Sequence, residues 1–238
     1  MAYQDEFYLA EESNAFFDRW QSSDSKEVLK IRESKKEILD QLLENIDPVE
    51  SLRVLEIGCF IGDLLGVLQN DYKCQVHGVE SSSKACRYAK ENFRVEVEHS
   101  TFVASSLFRL SKENHAKFDL IICDDVLSWM SREIILPTLG VFDWMLRAGG
   151  HIYFRDFCPS QAFCFKNHHW PDQEIYNFKQ AGGHKSFLLN SGNYLENYSY
   201  IRTSNDYQKI ETKRPDAMTW SDSILTKLEN PLHPLADL

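Results

Sequence analysis

The chain has no surplus of positive charge: 26 Lys and Arg stand against 36 Asp and Glu in 238 residues, a formal net charge of −10. Phosphate backbones are held by clustered Lys and Arg. Here the basic residues are scattered among acids, so no nucleic-acid partner is expected. No uninterrupted apolar run is long enough to cross a bilayer. The acidic start, MAYQDEFYLAEES, lacks the basic-then-apolar order of a signal peptide. No membrane partner and a cytoplasmic location are therefore expected. Internal repeats, low-complexity tracts and Gly/Ser linkers are also missing. The six cysteines (Cys59, Cys74, Cys86, Cys123, Cys158, Cys164) come without a secretory signal and read as reduced thiols, most of them in the core. With 43% apolar and 26% charged residues, the remaining class is an ordinary globular domain with elaborations.

The pattern along the chain divides it in three. Residues 1–50 read as helical: Phe16, Phe17 and Trp20 fall at helical spacing, and Ile38, Leu39, Leu42, Leu43 and Ile46 make a second stripe, with Ser23 or Asp24 as its cap and Pro48 at its end. Over 51–205, short apolar runs alternate with helical stretches. Residues 53–57, 75–79, 95–97, 118–123 and 151–154 read as strands, and 82–92 and 133–146 as helices. This alternation implies a mainly parallel sheet with helices on both faces. Residues 157–183 have no sustained period and read as a loop insertion. Residues 185–189 and 198–202 read as a last antiparallel pair, and 206–238 as a tail with a helix over 221–228.

The run VLEIGCFIGD (54–63) reads as a buried strand entering a tight turn and then a helix. Gly58 and Gly62 let the backbone turn sharply and approach a ligand with no Cβ in the way. The next apolar run, 74–79, closes on Glu80. A glycine turn opening a helix, with an acid at the next strand end, is the plan of a nucleoside-binding βαβ unit. The spacing is not the dinucleotide fingerprint.

VLEIGCFIGDLL followed by VHGVESS resembles the first two motifs of class I S-adenosylmethionine-dependent methyltransferases. The resemblance implies a Rossmann-like α/β fold: a mainly parallel seven-stranded sheet with helices on both faces, an amino-terminal helical lid and an insertion after strand five. It implies S-adenosyl-L-methionine as cofactor. Glu56 then orients the methionine end through the turn Gly58, Cys59, Phe60 and Gly62. Glu80, with Ser81 beside it, accepts hydrogen bonds from the ribose hydroxyls. Phe60 stands at the family's usual middle glycine and makes the loop bulkier. Ser100 and Thr101, after the third strand, stand where the adenine is contacted. Asp124 and Asp125 end the fourth strand, beside the methionine moiety and the acceptor. Neighbouring side chains on an extended chain point to opposite sides, and Asp124 is assigned to the cofactor side.

RDFCP, KNHHW and YNFK, after the fifth strand, resemble more narrowly the methyltransferases encoded in bacterial capsule, lipopolysaccharide and sugar-modification clusters. ESNAFFDRW resembles their entry helix, which implies Phe17 as lid over the cofactor and Arg19 near its carboxylate. The expected reaction is O-methylation of a sugar, nucleotide-sugar or phosphorylated precursor of a surface glycan. A hydroxyl acceptor must lose a proton, and imidazole suits that task near neutral pH. His168 and His169 are the base candidates, with Asp156 or Asp125 as orienting partner or alternative base. Arg155, Lys166 and Lys179 are candidates for an anionic handle on the acceptor, with Trp170 and Tyr176 lining its site. The spacing of Cys158, Cys164 and His168 fits no standard zinc site, so no metal is expected. Rival readings are a protein or RNA methyltransferase and a non-catalytic cofactor-binding protein.

Overall fold

The computed structural model describes residues 3–22, 37, 39–40, 42–43, 51–109, 113, 115–203 and 219–229. Helix α1 (Tyr3–Phe7) continues through a π-helical turn, Tyr8–Glu12, into α2 (Ser13–Ser22). Of the second expected helical stripe, Leu39, Leu42 and Leu43 are buried against the sheet. Ile38, Ile46, Pro48 and the expected cap at Ser23 or Asp24 lie outside the described residues. The α/β alternation follows: β1 (Arg53–Ile57), α3 (Asp63–Asn70), β2 (Gln75–Glu80), α4 (Ser83–Phe93), β3 (Val97–His99), α5 (Ser106–Arg109), β4 (Phe118–Asp124), α6 (Arg132–Met145) and β5 (Leu146–Phe157). The chain then forms a hairpin, β6 (Phe163–Lys166) and β7 (Tyr176–Lys179), the helix α7 (Lys185–Leu189), and strands β8 (Tyr194–Thr203) and β9 (Thr219–Lys227).

The main sheet has seven strands in the order β3-β2-β1-β4-β5-β9-β8. The first five are parallel, and β9 inserts antiparallel between β5 and β8. From β1 the chain steps outward to β2 and β3, then crosses to β4 on the other side. That reversal opens a crevice at the carboxyl ends of β1 and β4. The central strands are buried on both faces, which is why they read as continuous apolar runs. Along β4, Leu120 and Ile122 pack with Val54 and Tyr153 on one face, while Ile121 and Cys123 pack with Leu55, Ile57 and Phe142 on the other.

The last third of the chain departs from the expectation. Residues 221–228 form no helix; all but the last lie in β9. They look helical because Ser221, Asp222 and Ser223 break the apolar alternation, yet all three are buried, at 1%, 3% and 0% exposure. The sheet satisfies two of them: Asp222 accepts from Tyr153 OH at 2.9 Å, and Ser223 from Lys185 Nζ at 2.6 Å. Of the expected tail 206–238, the described residues 219–229 hold β9, which pairs inside the sheet, and not a helix. Residues 185–189 are a helix rather than a strand, and the expected strand 198–202, part of β8, pairs antiparallel with β9 instead. The insertion is not all loop, because it holds the β6–β7 hairpin.

Arg155 illustrates the lateral order of the sheet. Register places Asp124, Arg155 and Asp222 in one row across β4, β5 and β9. The guanidinium Nε lies 3.6 Å from Asp124 and 3.8 Å from Asp222, and Arg155 is 7% exposed. Removing one partner of a buried charge leaves the other uncompensated. Asp222→Ala is expected to lower unfolding free energy by roughly 3 kcal/mol in urea titration, because Arg155 and Tyr153 both lose a carboxylate.

Candidate active site

The crevice at the ends of β1 and β4 widens into a cleft of about 480 Å³ open to solvent. Its wall runs from the turn (Ile57, Gly58) to the end of β2 (Val79, Ser81), the segment after β3 (Ser100, Thr101, Phe102, Val103) and the segment after β4 (Val126, Trp129, Met130). Asp5 and Tyr8 of the amino-terminal helices close it from above.

The turn hangs on the end of β2. Gly58 N–H and Cys59 N–H both donate to Val79 O, at 2.8 and 3.3 Å. Gly58 has φ +66°, and a Cβ there would meet Val126 Cγ2 at 2.5 Å. The turn thus needs glycine for conformation and for close approach. Cys59 is buried at 3% and packs with Leu65 and Val95 under the turn, so its thiol does not line the cleft. Glu56 is buried at 2% within β1.

Glu80 is the organising acid. Its Oε2 accepts from Phe60 N–H at 2.9 Å, and Oε1 accepts from Ser82 N–H at 2.7 Å. Burial raises its pKa, against the backbone N–H bonds that favour the charged form. One carboxylate therefore joins the glycine turn to the start of α4. Ser81 and Ser100 follow on the same rim, with Ser100 N–H donating to Glu80 O at 2.9 Å.

Phe60 has φ +49°, a left-handed conformation that a bulky residue rarely adopts. What holds it is the lid. Its ring meets those of Phe16, Phe17 and Trp20 at centroid distances of 5.2, 6.1 and 5.3 Å. The lid is pinned a second time where Ser13 Oγ lies 2.5 Å from Ser81 Oγ and Asn14 Oδ1 accepts from Ser82 Oγ at 2.9 Å. Phe17 therefore packs on Phe60, Ile61 and Ala85 rather than over the cleft. Arg19 pairs with Glu12 at 2.7 Å and does not line the cleft either. The lid residues that do are Asp5 and Tyr8, which sequence reasoning missed. Each leaves a buried polar atom, Asp5 Oδ2 and Tyr8 OH, that makes no hydrogen bond among the described residues.

At the end of β4 the two acids separate, and neither lines the cleft wall. Asp124 faces Arg155 in the sheet. Asp125 turns out of the strand at φ +54° and accepts from Trp129 Nε1 at 3.2 Å. Burial, then the neighbouring charges of Asp124 and Asp156, push its carboxyl well above the ordinary range. Asp156 is spent on structure: His184 N–H and Nδ1, Ser128 Oγ and Phe157 N–H all reach its two oxygens. Burial alone would raise its pKa, but these partners, His184 foremost, hold it below the usual carboxylate range. A carboxylate so occupied is no free base.

The insertion separates the other candidates. His168 and His169 are exposed and stack on each other at 3.9 Å. Partial desolvation and the nearby Arg19 lower the His169 pKa. Trp170 donates to Glu12 and meets the Phe7 ring edge-on at 5.0 Å, clasping insertion to lid. Gln4 adds a second clasp, donating to Trp129 O and Tyr176 O at 2.5 and 2.8 Å. Lys166 is exposed and pairs with Glu174 at 2.9 Å, and the Tyr176 hydroxyl donates to the same carboxylate. Arg155 is held between its two acids, so neither it nor Lys166 offers a handle in the cleft. Of the three cations, Arg155 and Lys179 are buried, at 7% and 2% exposure, and Lys166 is exposed. Among the described residues, no cluster of three His, Cys, Asp or Glu side chains is set to hold a metal, and no helix is long and apolar enough to cross a membrane.

Residues 54–150, less than half of the chain, match a family model described as a methyltransferase domain. An uncharacterized protein of Rickettsia prowazekii (strain Madrid E) is 32% identical over 108 residues; the match spans 44% of this chain and 43% of that relative, less than half its length. The fold is similar over 95% of this chain to Burkholderia thailandensis 1,6-didemethyltoxoflavin-N1-methyltransferase, solved with 1,6-didemethyltoxoflavin and S-adenosylhomocysteine (TM-score 0.64, 13% identity, 87% of that chain). It is similar over 94% to a putative sarcosine dimethylglycine methyltransferase from Galdieria sulphuraria (TM-score 0.62, 14% identity, 98% of that chain). Residues 54–150 thus match the model of a methyltransferase domain, and the fold of the chain is similar to that of solved methyltransferases.

Phe60→Ala removes the hub on which α2 docks. Amide exchange over 13–22 is expected to speed at least about tenfold, by mass spectrometry, while β4 stays protected, because local opening tracks local packing.

Proposed function

We propose that the chain transfers the methyl group of S-adenosyl-L-methionine to a small molecule bound between the amino-terminal lid and the β6–β7 hairpin. The observation that carries this reading is the cleft itself. A glycine turn with no room for a Cβ, the Glu80 carboxylate beside it and two orphaned polar atoms under the lid fit that cofactor. Glu80 and Ser81 would hold the ribose, and Ser100, Thr101 and Phe102 the base. Gly58, Asp5 and Tyr8 would face the other half, where Asp5 Oδ2 suits an ammonium group. The donor brings a methyl carbon on a sulfonium, so the protein supplies mainly alignment and exclusion of water. The lid and the two clasps at Trp170 and Gln4 do the excluding.

The finer reading is O-methylation of a sugar, nucleotide-sugar or phosphorylated precursor of a surface glycan, supported by the RDFCP, KNHHW and YNFK segments. The placement of Arg155 and Lys166 favours its neutral hydroxyl members over the phosphorylated ones. His168 and His169 fit contacts at the rim of the entrance better than proton removal inside it. A ring nitrogen is the second acceptor reading, favoured by the fold's likeness to the Burkholderia N1-methyltransferase.

Titration calorimetry with S-adenosylmethionine and S-adenosylhomocysteine tests the cofactor. Micromolar binding is expected, and no binding at millimolar concentration would refute both cofactor and activity. Gly58→Ala is expected to weaken binding at least about tenfold, through the left-handed φ and the contact with Val126.

A further inference from the structure

The β6–β7 hairpin carries two polar side chains on a buried face. Antiparallel pairing sets Phe163 opposite Lys179 and Phe165 opposite Asn177, so these four share one side. Along β7, half-buried Tyr176 and Phe178 alternate with Asn177 at 0% and Lys179 at 2% exposure. The strand packs against the turn Leu127–Trp129 that borders the cleft, and Gln4 ties the two together. Lys179 Nζ lies 3.2 Å from the ring centroid of Phe157, 4.9 Å from Phe165 and 5.7 Å from Phe163. Asp125 from the end of β4 and Asp156 from β5 are the acids that face it, the second already bonded to His184. The charged residues Lys166 and Glu174 of the insertion pair with each other in solvent.

Asn177 supplies an independent observation. Neither its Nδ2 nor its Oδ1 has a hydrogen-bond partner, although both are buried. An amide offers donors and an acceptor side by side, and a buried amide left unmet weakens the fold. An apolar residue would pack there at no such cost. The unmet Asn177 amide, on the same face as Lys179, points to a ligand at this face.

We propose that this face is the acceptor subsite, with Asn177 binding a vicinal diol-like edge and Lys179 receiving the proton of the hydroxyl that is methylated. The proposal rests on the methyltransferase reading. The acceptor O–H bond breaks, and its proton goes to the lone pair of Nζ, which becomes an ammonium. The oxygen pair so freed forms the bond to the methyl carbon, whose bond to sulfur breaks with its pair left on sulfur. Receiving a proton requires a neutral amine. Burial among the rings outweighs Asp125 and Asp156 and lowers the Lys179 pKa to about 7, so the neutral form is available near neutral pH.

The test is ¹³C NMR of the full chain carrying [¹³Cε]lysine, with Lys179 assigned by Lys179→Arg. The expected Cε midpoint lies near pH 7. A midpoint at or above 10 would reduce Lys179 to a structural cation and overturn the assignment. The second arm adds cis-1,2-cyclohexanediol to protein saturated with S-adenosylhomocysteine. The Asn177 side-chain amide signals are expected to shift with the diol and not with its dimethyl ether, and Asn177→Leu to weaken diol binding at least tenfold. Unmoved amide signals would refute the subsite. Lys179→Met is expected to bind S-adenosylhomocysteine within twofold of the parent. Failure of the parent itself to bind it would refute the wider reading and leave the lysine midpoint as a separate result.

Discussion

The Glu80 carboxylate is the interaction on which the rest of the site depends. It receives Phe60 N–H from the glycine turn and Ser82 N–H from the start of α4, so β1, β2 and α4 converge on two oxygen atoms. Charge-assisted bonds of this kind are stronger than neutral ones, and burial sharpens them. The turn could not carry Phe60 in a left-handed conformation without something to hold it. The N–H bond to Glu80 fixes its backbone, and the lid rings fix its side chain. The lid therefore rests on the same residue that Glu80 holds.

This arrangement makes cleft and cover one unit. Ser13 and Asn14 bond the residues just after Glu80, while Phe16, Phe17 and Trp20 cap the turn. The opposite wall is joined to the same lid through Trp170 and Gln4. A lid tied to both walls can exclude water from a reacting pair.

How much of this could be read from the sequence depended on the kind of signal. β1, the turn, β2 and Glu80 were legible because apolar period, glycine and acid all lie within about thirty residues. β9 was not, since Ser221, Asp222 and Ser223 look like surface until Arg155 and Tyr153 arrive from β5 and Lys185 from α7. The β6–β7 hairpin did leave a trace, the alternation in FCFK and YNFK, which the aromatic and His content around it obscured. Asp125 leaves the line of β4 because the chain turns left-handed there, and no pattern announces that. Asp5 and Tyr8 gave no local signal. Their place depends on a helix whose position is set by Phe60, far along the chain.

Hydrogen–deuterium exchange with and without S-adenosylhomocysteine tests the central claim most directly. If Glu80 joins turn, lid and cofactor, the amides of Phe60, Ser82 and residues 3–22 slow together on binding, while the β8–β9 edge is unchanged. Binding that protects the turn but leaves residues 3–22 exchanging as before would contradict the account.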